Sequence, residues 1–211
     1  MPRPALGVVL GAVAAILLCC LSFQFSQGVL GPLITVQLVG HGTATGLIGV
    51  ITSVYFVGFV VGTLHGQRII DRVGHIRALG VFASLAAIAT LLFVLTDPPW
   101  AWMALRAALG YALAGLFVVV ESWFNDKATS ATRGTVFGFY QLVGWGTGLV
   151  APLTLNLADP MGSELIIVAA VGFAASMIPV ALTRVGNPEA GQRGRISPRH
   201  LIAISPLGIA T

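Results

Sequence analysis

Arg106 stands a few residues inside an apolar run that extends from 100 to 123, where an unpaired guanidinium costs on the order of 2.5–3.5 kcal/mol on insertion scales. Something polar has to offset that cost: a solute, a counter-charge, or water reached by snorkelling toward the nearer interface. Gln24 and Gln27, three residues apart in another apolar run, share one helical face, and amides in hydrocarbon need partners. Glu121 ends the same run as Arg106; at 1.5 Å per residue the two lie about 22 Å apart and cannot pair. A fourth group, Asp71-Arg72-x-Gly74-x-x-Arg77, concentrates charge between two apolar runs. Such residues can hold and release a small polar solute or an ion, or latch one segment against another. No nucleotide-binding loop, metal-ligand cluster or catalytic triad accompanies them, so neither an enzyme nor a cofactor is expected.

The elements that position these residues follow from composition. With 56% hydrophobic and 9% charged residues and a mean hydropathy of +0.94, the chain is far from a soluble domain, where about a quarter of residues are charged. Apolar stretches at 6–38, 46–65, 78–96, 100–123, 135–157 and 164–183 are each about long enough to cross ~30 Å of hydrocarbon as a helix. They read as six transmembrane spans, with 66–77 a short hairpin loop in water. Residues 1–184 form the bundle, 185–200 read as a Gly-, Pro- and Arg-rich flexible linker, and 201–211 are apolar again but too few to cross.

The formal charge of +4 would suggest nucleic acid in a soluble protein; here the positions of the charges exclude that partner. Of eleven Lys and Arg residues, ten (Arg3, Arg68, Arg72, Arg77, Lys127, Arg133, Arg184, Arg193, Arg195 and Arg199) fall in alternate loops, leaving only Arg106 within a span. Basic loops prefer the cytoplasmic side. Both termini are therefore expected inside, in a multi-pass protein of the bacterial inner membrane. Cys19 and Cys20 are adjacent in an apolar run and read as small core residues. Leu18 before them argues against a lipoprotein site, and the long first run against a cleavable leader.

The Asp71, Arg72 and Gly74 spacing resembles the signature of the loop between helices two and three in the major facilitator superfamily, roughly G-x-L-x-D-R-x-G-R-R/K. Gln67 stands at the family's first glycine, and His75 and Ile76 stand at its basic pair. Arg106-x-x-x-Gly110, with Gly115 beyond, resembles the fourth-helix signature R-x-x-x-G-x-G. There the arginine faces the central cavity and is tied to substrate or proton coupling. Glu121-Ser-Trp-Phe-Asn125 followed by Thr132-Arg-Gly134 is similar to a subgroup of bacterial permeases, and Ser205-Pro-Leu-Gly208 resembles the start of their seventh helix. Gly144-Trp-Gly-Thr-Gly148 with Pro152 matches the fifth-helix signature of drug antiporters poorly, so antiport is not inferred. Small residues there, like Gly58, Gly62 and Gly66, instead suit close helix approach.

The resemblance implies an all-α fold of six transmembrane helices, arranged as two inverted three-helix repeats, the amino-terminal half of a transporter of twelve helices. It implies secondary transport of a small solute by alternating access, and partners comprising the bilayer, the solute, and a second half-transporter or another copy. Gln24, Gln27, Arg106 and Tyr111 are the cavity candidates. Asp71, Arg72, Gly74, Arg77 and Glu121 are expected to form a gating charge network in which Glu121 pairs with the loop arginines. A truncated or inactive fragment, or a non-transporting scaffold or receptor subunit, are the competing expectations.

Overall fold

The computed structural model describes residues 6–127 and 133–183, with side chains from Ala14 to Asn125 and from Gly134 to Thr183. The linker and the seventh-helix segment expected at 185–200 and 201–211 lie outside the described residues. Helix α1 spans Leu6–Gly40, α2 Thr45–Val73, α3 His75–Leu92, α4 Pro99–Lys127, α5 Arg133–Val150, α6 Glu164–Ala175 and α7 Met177–Leu182. Among the described residues there is no strand, and six segments are long and apolar enough to span a membrane, α6 and α7 together making the sixth.

The breaks have identifiable causes. Pro152 cannot donate to the carbonyl of Gly148, and α5 gives way to a 3₁₀ segment at Ala151–Asn156. Pro179 likewise leaves the carbonyl of Ala175 without its donor, and the helix is interrupted at Ser176, whose hydroxyl bonds the Phe173 carbonyl at 2.7 Å. Pro99 opens α4, where a missing N–H costs nothing.

The expected water-exposed loop at 66–77 is nearly all helix. Helix α2 continues to Val73, α3 starts at His75, and Gly74 alone is non-helical between them. At ~1.5 Å per residue α2 is about 44 Å long and outruns a ~30 Å hydrocarbon core. Its last turns can thus stay helical, carrying Arg68, Asp71 and Arg72 exposed beyond the apolar zone.

Helix α4 packs on α2 and α3, α1 packs on α5 and α6, and α3 packs on α6. Exchanging first with fourth, second with fifth and third with sixth span leaves that pairing unchanged. Spans three apart in a serpentine run in opposite directions, so the exchange relates two inverted three-helix repeats. The core between them is aromatic and aliphatic, with Phe23, Phe82, Trp123, Phe124 and Phe173 buried.

The α2–α4 pair is the closest. A Cβ on Gly58 would collide with the backbone of Ala107, one on Gly62 with that of Tyr111, and one on Gly110 with the carbonyl of Tyr55. The α2 glycines thus make the close face that their four-residue spacing predicts. On α5 the expectation holds only for Gly144, which abuts the Gln24 amide, while Gly146 and Gly148 face open space. The close approach between α1 and α5 is made instead by Gly28, where a Cβ would come 2.7 Å from Ala151 Cβ.

Candidate functional site: a polar and aromatic stripe on the fourth span

Arg106, Gly110, Ala114, Phe117 and Glu121 lie three or four residues apart on α4 and form one stripe along its length. Arg106 does not snorkel. Its side chain is 4% exposed, and the guanidinium carbon sits 4.9 Å from the centroid of the Tyr55 ring. Its Nε and Nη1 have no hydrogen-bond partner. A ring face attracts a cation but accepts no conventional hydrogen bond, so Tyr55 only partly replaces water.

From Tyr55 a row of rings runs along the stripe. Tyr55 and Phe59 are 6.0 Å apart, Phe59 and Phe117 6.1 Å, and Phe117 meets Phe23 of α1 edge-on at 5.2 Å. Beyond the row a cavity of about 300 Å³ opens between α2, α4 and α5, lined by Phe59, Thr63, Phe117, Glu121, Tyr140 and Gln141 among others.

The two glutamines of α1 are half-buried, and Gln24 Nε2 and Gln27 Oε1 have no partner. Neighbouring polar groups of α1 are satisfied: the Ser22 hydroxyl donates to the Gly172 carbonyl at 2.7 Å, and the Gln37 amide donates to the carbonyls of Pro160 at 2.9 Å and Gly162 at 3.1 Å. Those residues hold helices together; Gln24 and Gln27 have an unused donor and an unused acceptor. Tyr111 packs against His65 and Phe82, with centroids 6.4 and 5.9 Å away. No hydrogen bond or ring contact joins any two of Gln24, Gln27, Arg106 and Tyr111.

At the other group, Gly74 has φ 83° and ψ 164°, a conformation open to glycine and strained for other residues. Its N–H donates to the Ile70 carbonyl at 2.8 Å, closing α2, and its carbonyl accepts from Ala78 at 3.0 Å, opening α3. Asp71 accepts from the Gln67 amide one turn earlier at 2.8 Å. Arg72 and Arg77 are exposed. Glu121 does not pair with these arginines; its Oε1 accepts from the Tyr140 hydroxyl at 3.3 Å. His75, at a position of the family's basic pair, is buried and lies 3.0 Å from the Ser122 hydroxyl through Nε2, tying α3 to α4.

The sequence singled out Arg106, Gly110 and Glu121 of the stripe but not Ala114 or Phe117. The i, i+4 step from Arg106 through Gly110 and Ala114 was there to be counted, and Phe117 and Glu121 follow at three and four residues. Tyr55, Phe59 and Tyr140 carry no comparable signal, since nothing in the α2 or α5 sequence says that those rings turn toward α4.

These observations define a multi-pass helical membrane protein with buried, unsatisfied polar groups on the inner spans. A sequence model of the Major Facilitator Superfamily matches residues 8–208, and the chain belongs to that superfamily. It is 32% identical over 145 residues to an uncharacterised MFS-type transporter of Yersinia pestis (strain Pestoides F), covering 68% of this chain and 38% of the relative. To an uncharacterised MFS-type transporter of Yersinia enterocolitica it is 30% identical over 184 residues, covering 83% and 46%. To the uncharacterised MFS-type transporter YcaD of Escherichia coli O139:H28 it is 32% identical over 163 residues, covering 77% and 42%. The chain spans less than half the length of these curated relatives.

Proposed function

We propose that the chain forms one half of a secondary transporter that moves a small solute by alternating access. The observation that carries this is the buried Arg106 guanidinium with two unpartnered nitrogens. A charge left in that state is costly unless something polar reaches it during the working cycle. A solute alternately bound and released meets that requirement, and the free amide groups of Gln24 and Gln27 add a donor and an acceptor. Tyr111 is the remaining cavity candidate.

The turn centred on Gly74 serves as the latch, with Asp71, Arg72 and Arg77 as its exposed charges and Glu121 at the same end of the bundle. Asp71 lies in the last turn of α2, where the helix dipole disfavours an anion. Among the described residues it is ion-paired to nothing, which leaves it open to dock on a second half. With ten of eleven Lys and Arg residues in alternate loops of the sequence, the end that carries the Gly74 turn is read as cytoplasmic and both termini as inside.

The test is uptake of a radiolabelled panel of amino acids, sugars, organic acids and organic cations by cells producing a complete transporter built around this unit. Saturable uptake above the vector control, lost in Asp71→Asn at equal membrane abundance, is expected. Normal uptake by Asp71→Asn would remove the latch, and a well-inserted protein with no uptake of any solute would favour the scaffold.

A further inference from the structure

The cavity at the Glu121 end of α4 has a composition that the solute site near Arg106 does not need. Its walls bring one carboxylate together with three aromatic rings, Phe59, Phe117 and Tyr140, and two uncharged polar side chains, Thr63 and Gln141. Glu121 Oε1 accepts from the Tyr140 hydroxyl at 3.3 Å, and among the described residues its other oxygen has no protein partner and no arginine or lysine lines the space. At about 300 Å³ the cavity is at the lower end of the range of small-molecule sites.

From this we infer that the Glu121 cavity is a binding site for a small organic cation of the quaternary-ammonium class. An anion would meet the carboxylate at close range with nothing to neutralise it. A neutral apolar molecule would gain from the rings but would cover part of the exposed Glu121 carboxylate and offer it nothing in return. A hard metal ion would find a single carboxylate, and no group of three potential ligand side chains exists among the described residues. A quaternary ammonium suits both features, since its diffuse charge faces the carboxylate while its methyl groups lie on the ring faces. Gln141 can bond a hydroxyl or carbonyl at its far end, and Thr63, whose hydroxyl donates to the Phe59 carbonyl at 2.9 Å, can accept from a hydroxyl there. Tyr140 fixes the carboxylate by its hydroxyl and presents its ring to the same space.

The inference goes beyond transport, because occupancy of this cavity requires neither a gradient nor the Arg106 region. It is tested by equilibrium dialysis of radiolabelled choline against the detergent-solubilised 211-residue chain, with 3,3-dimethylbutan-1-ol, its uncharged isostere, as competitor. Saturable choline binding that the alcohol does not displace is expected. Glu121→Gln should weaken it about tenfold or more, Glu121→Asp less, and Phe117→Leu, which keeps an apolar side chain of somewhat smaller volume but removes the ring face, severalfold. Each variant is checked for an unchanged gel-filtration profile. Absence of saturable choline binding, equal displacement by the alcohol, or unaltered affinity in a monodisperse Glu121→Gln overturns the site. Dialysis in detergent reports nothing on uptake, so failure here leaves the transport reading standing, and failed uptake leaves this one.

Discussion

At the scale of single residues, the signature matches divide by physical role. Gly74 was legible because only glycine fits its left-handed φ of 83° without strain. An alanine there should cost ~1–3 kcal/mol, so Gly74→Ala is expected to lower the thermal midpoint of the solubilised protein by several degrees. Gly42, with φ 71° in the turn before α2, is the companion case. An unchanged midpoint for Gly74→Ala would show that the turn can relax. Gln67, which departs from the family's glycine, has a use of its own, since its amide holds Asp71 at 2.8 Å. His75 also departs from the pattern, and its burial against Ser122 shows why a solvated base would not fit there. Glu121 was found by type but given the wrong neighbours, because a charge pattern identifies which residues can pair and not which helix face carries them. Only the placement of Tyr140 on α5 settles that.

At the scale of elements, spacing and partner are separate pieces of information. Four-residue glycine rows occur on α2 and α5, yet only the α2 row meets a neighbouring backbone, whereas Gly146 and Gly148 have nothing within 4 Å. The row announces a smooth face, and the packing of the other spans decides what covers it. The consequence is a sharp asymmetry between two substitutions that look alike. Adding a methyl at Gly58 forces α2 away from Ala107 and should destabilise by ~1–3 kcal/mol or more. Adding one at Gly146 meets no atom and should be neutral or slightly stabilising, because alanine favours helix by up to ~1 kcal/mol. Thermal melts of Gly58→Ala and Gly146→Ala check this, and equal midpoints would contradict the described α2–α4 contact. Helix ends were the least legible feature. The charged 67–73 stretch reads as loop by composition but is helix by geometry, since its residues are adequate helix formers and α2 outruns the hydrocarbon. Pro152 and Pro179 could be read as breaks in advance, because a missing N–H acts within its own helix.

At the scale of the whole molecule, charge asymmetry and uncovered surface each give a prediction. In sealed cells a membrane-impermeant maleimide should label His41→Cys and Asp159→Cys and leave Gly74→Cys unlabelled. Native Cys19 and Cys20 are buried and add no background. Labelling of Gly74→Cys from outside would invert the orientation read from the basic residues.

Uncovered surface bears on what six spans can do alone. Helices α2 and α5, which pair with α4 and α1 respectively, turn their other faces outward: Phe56 is 63% exposed, Leu64 68%, Leu142 69% and Trp145 78%. Apolar faces of this kind are stable against lipid, so insertion of the chain is expected. The polar groups are a different matter. Gln24 and Gln27 are only partly covered, and unsatisfied amides in hydrocarbon draw in water, another helix or another copy. The 211-residue chain reconstituted alone in vesicles should therefore self-associate, seen as cross-linked dimers and larger species, and should show no saturable flux of any solute that the complete transporter carries. A cavity with one wall cannot close over a solute from both sides, which alternating access requires. Two copies facing each other about an axis along the membrane normal could supply the second wall. Saturable flux that disappears in Arg106→Ala would establish that arrangement, and with it a transporter assembled from identical halves.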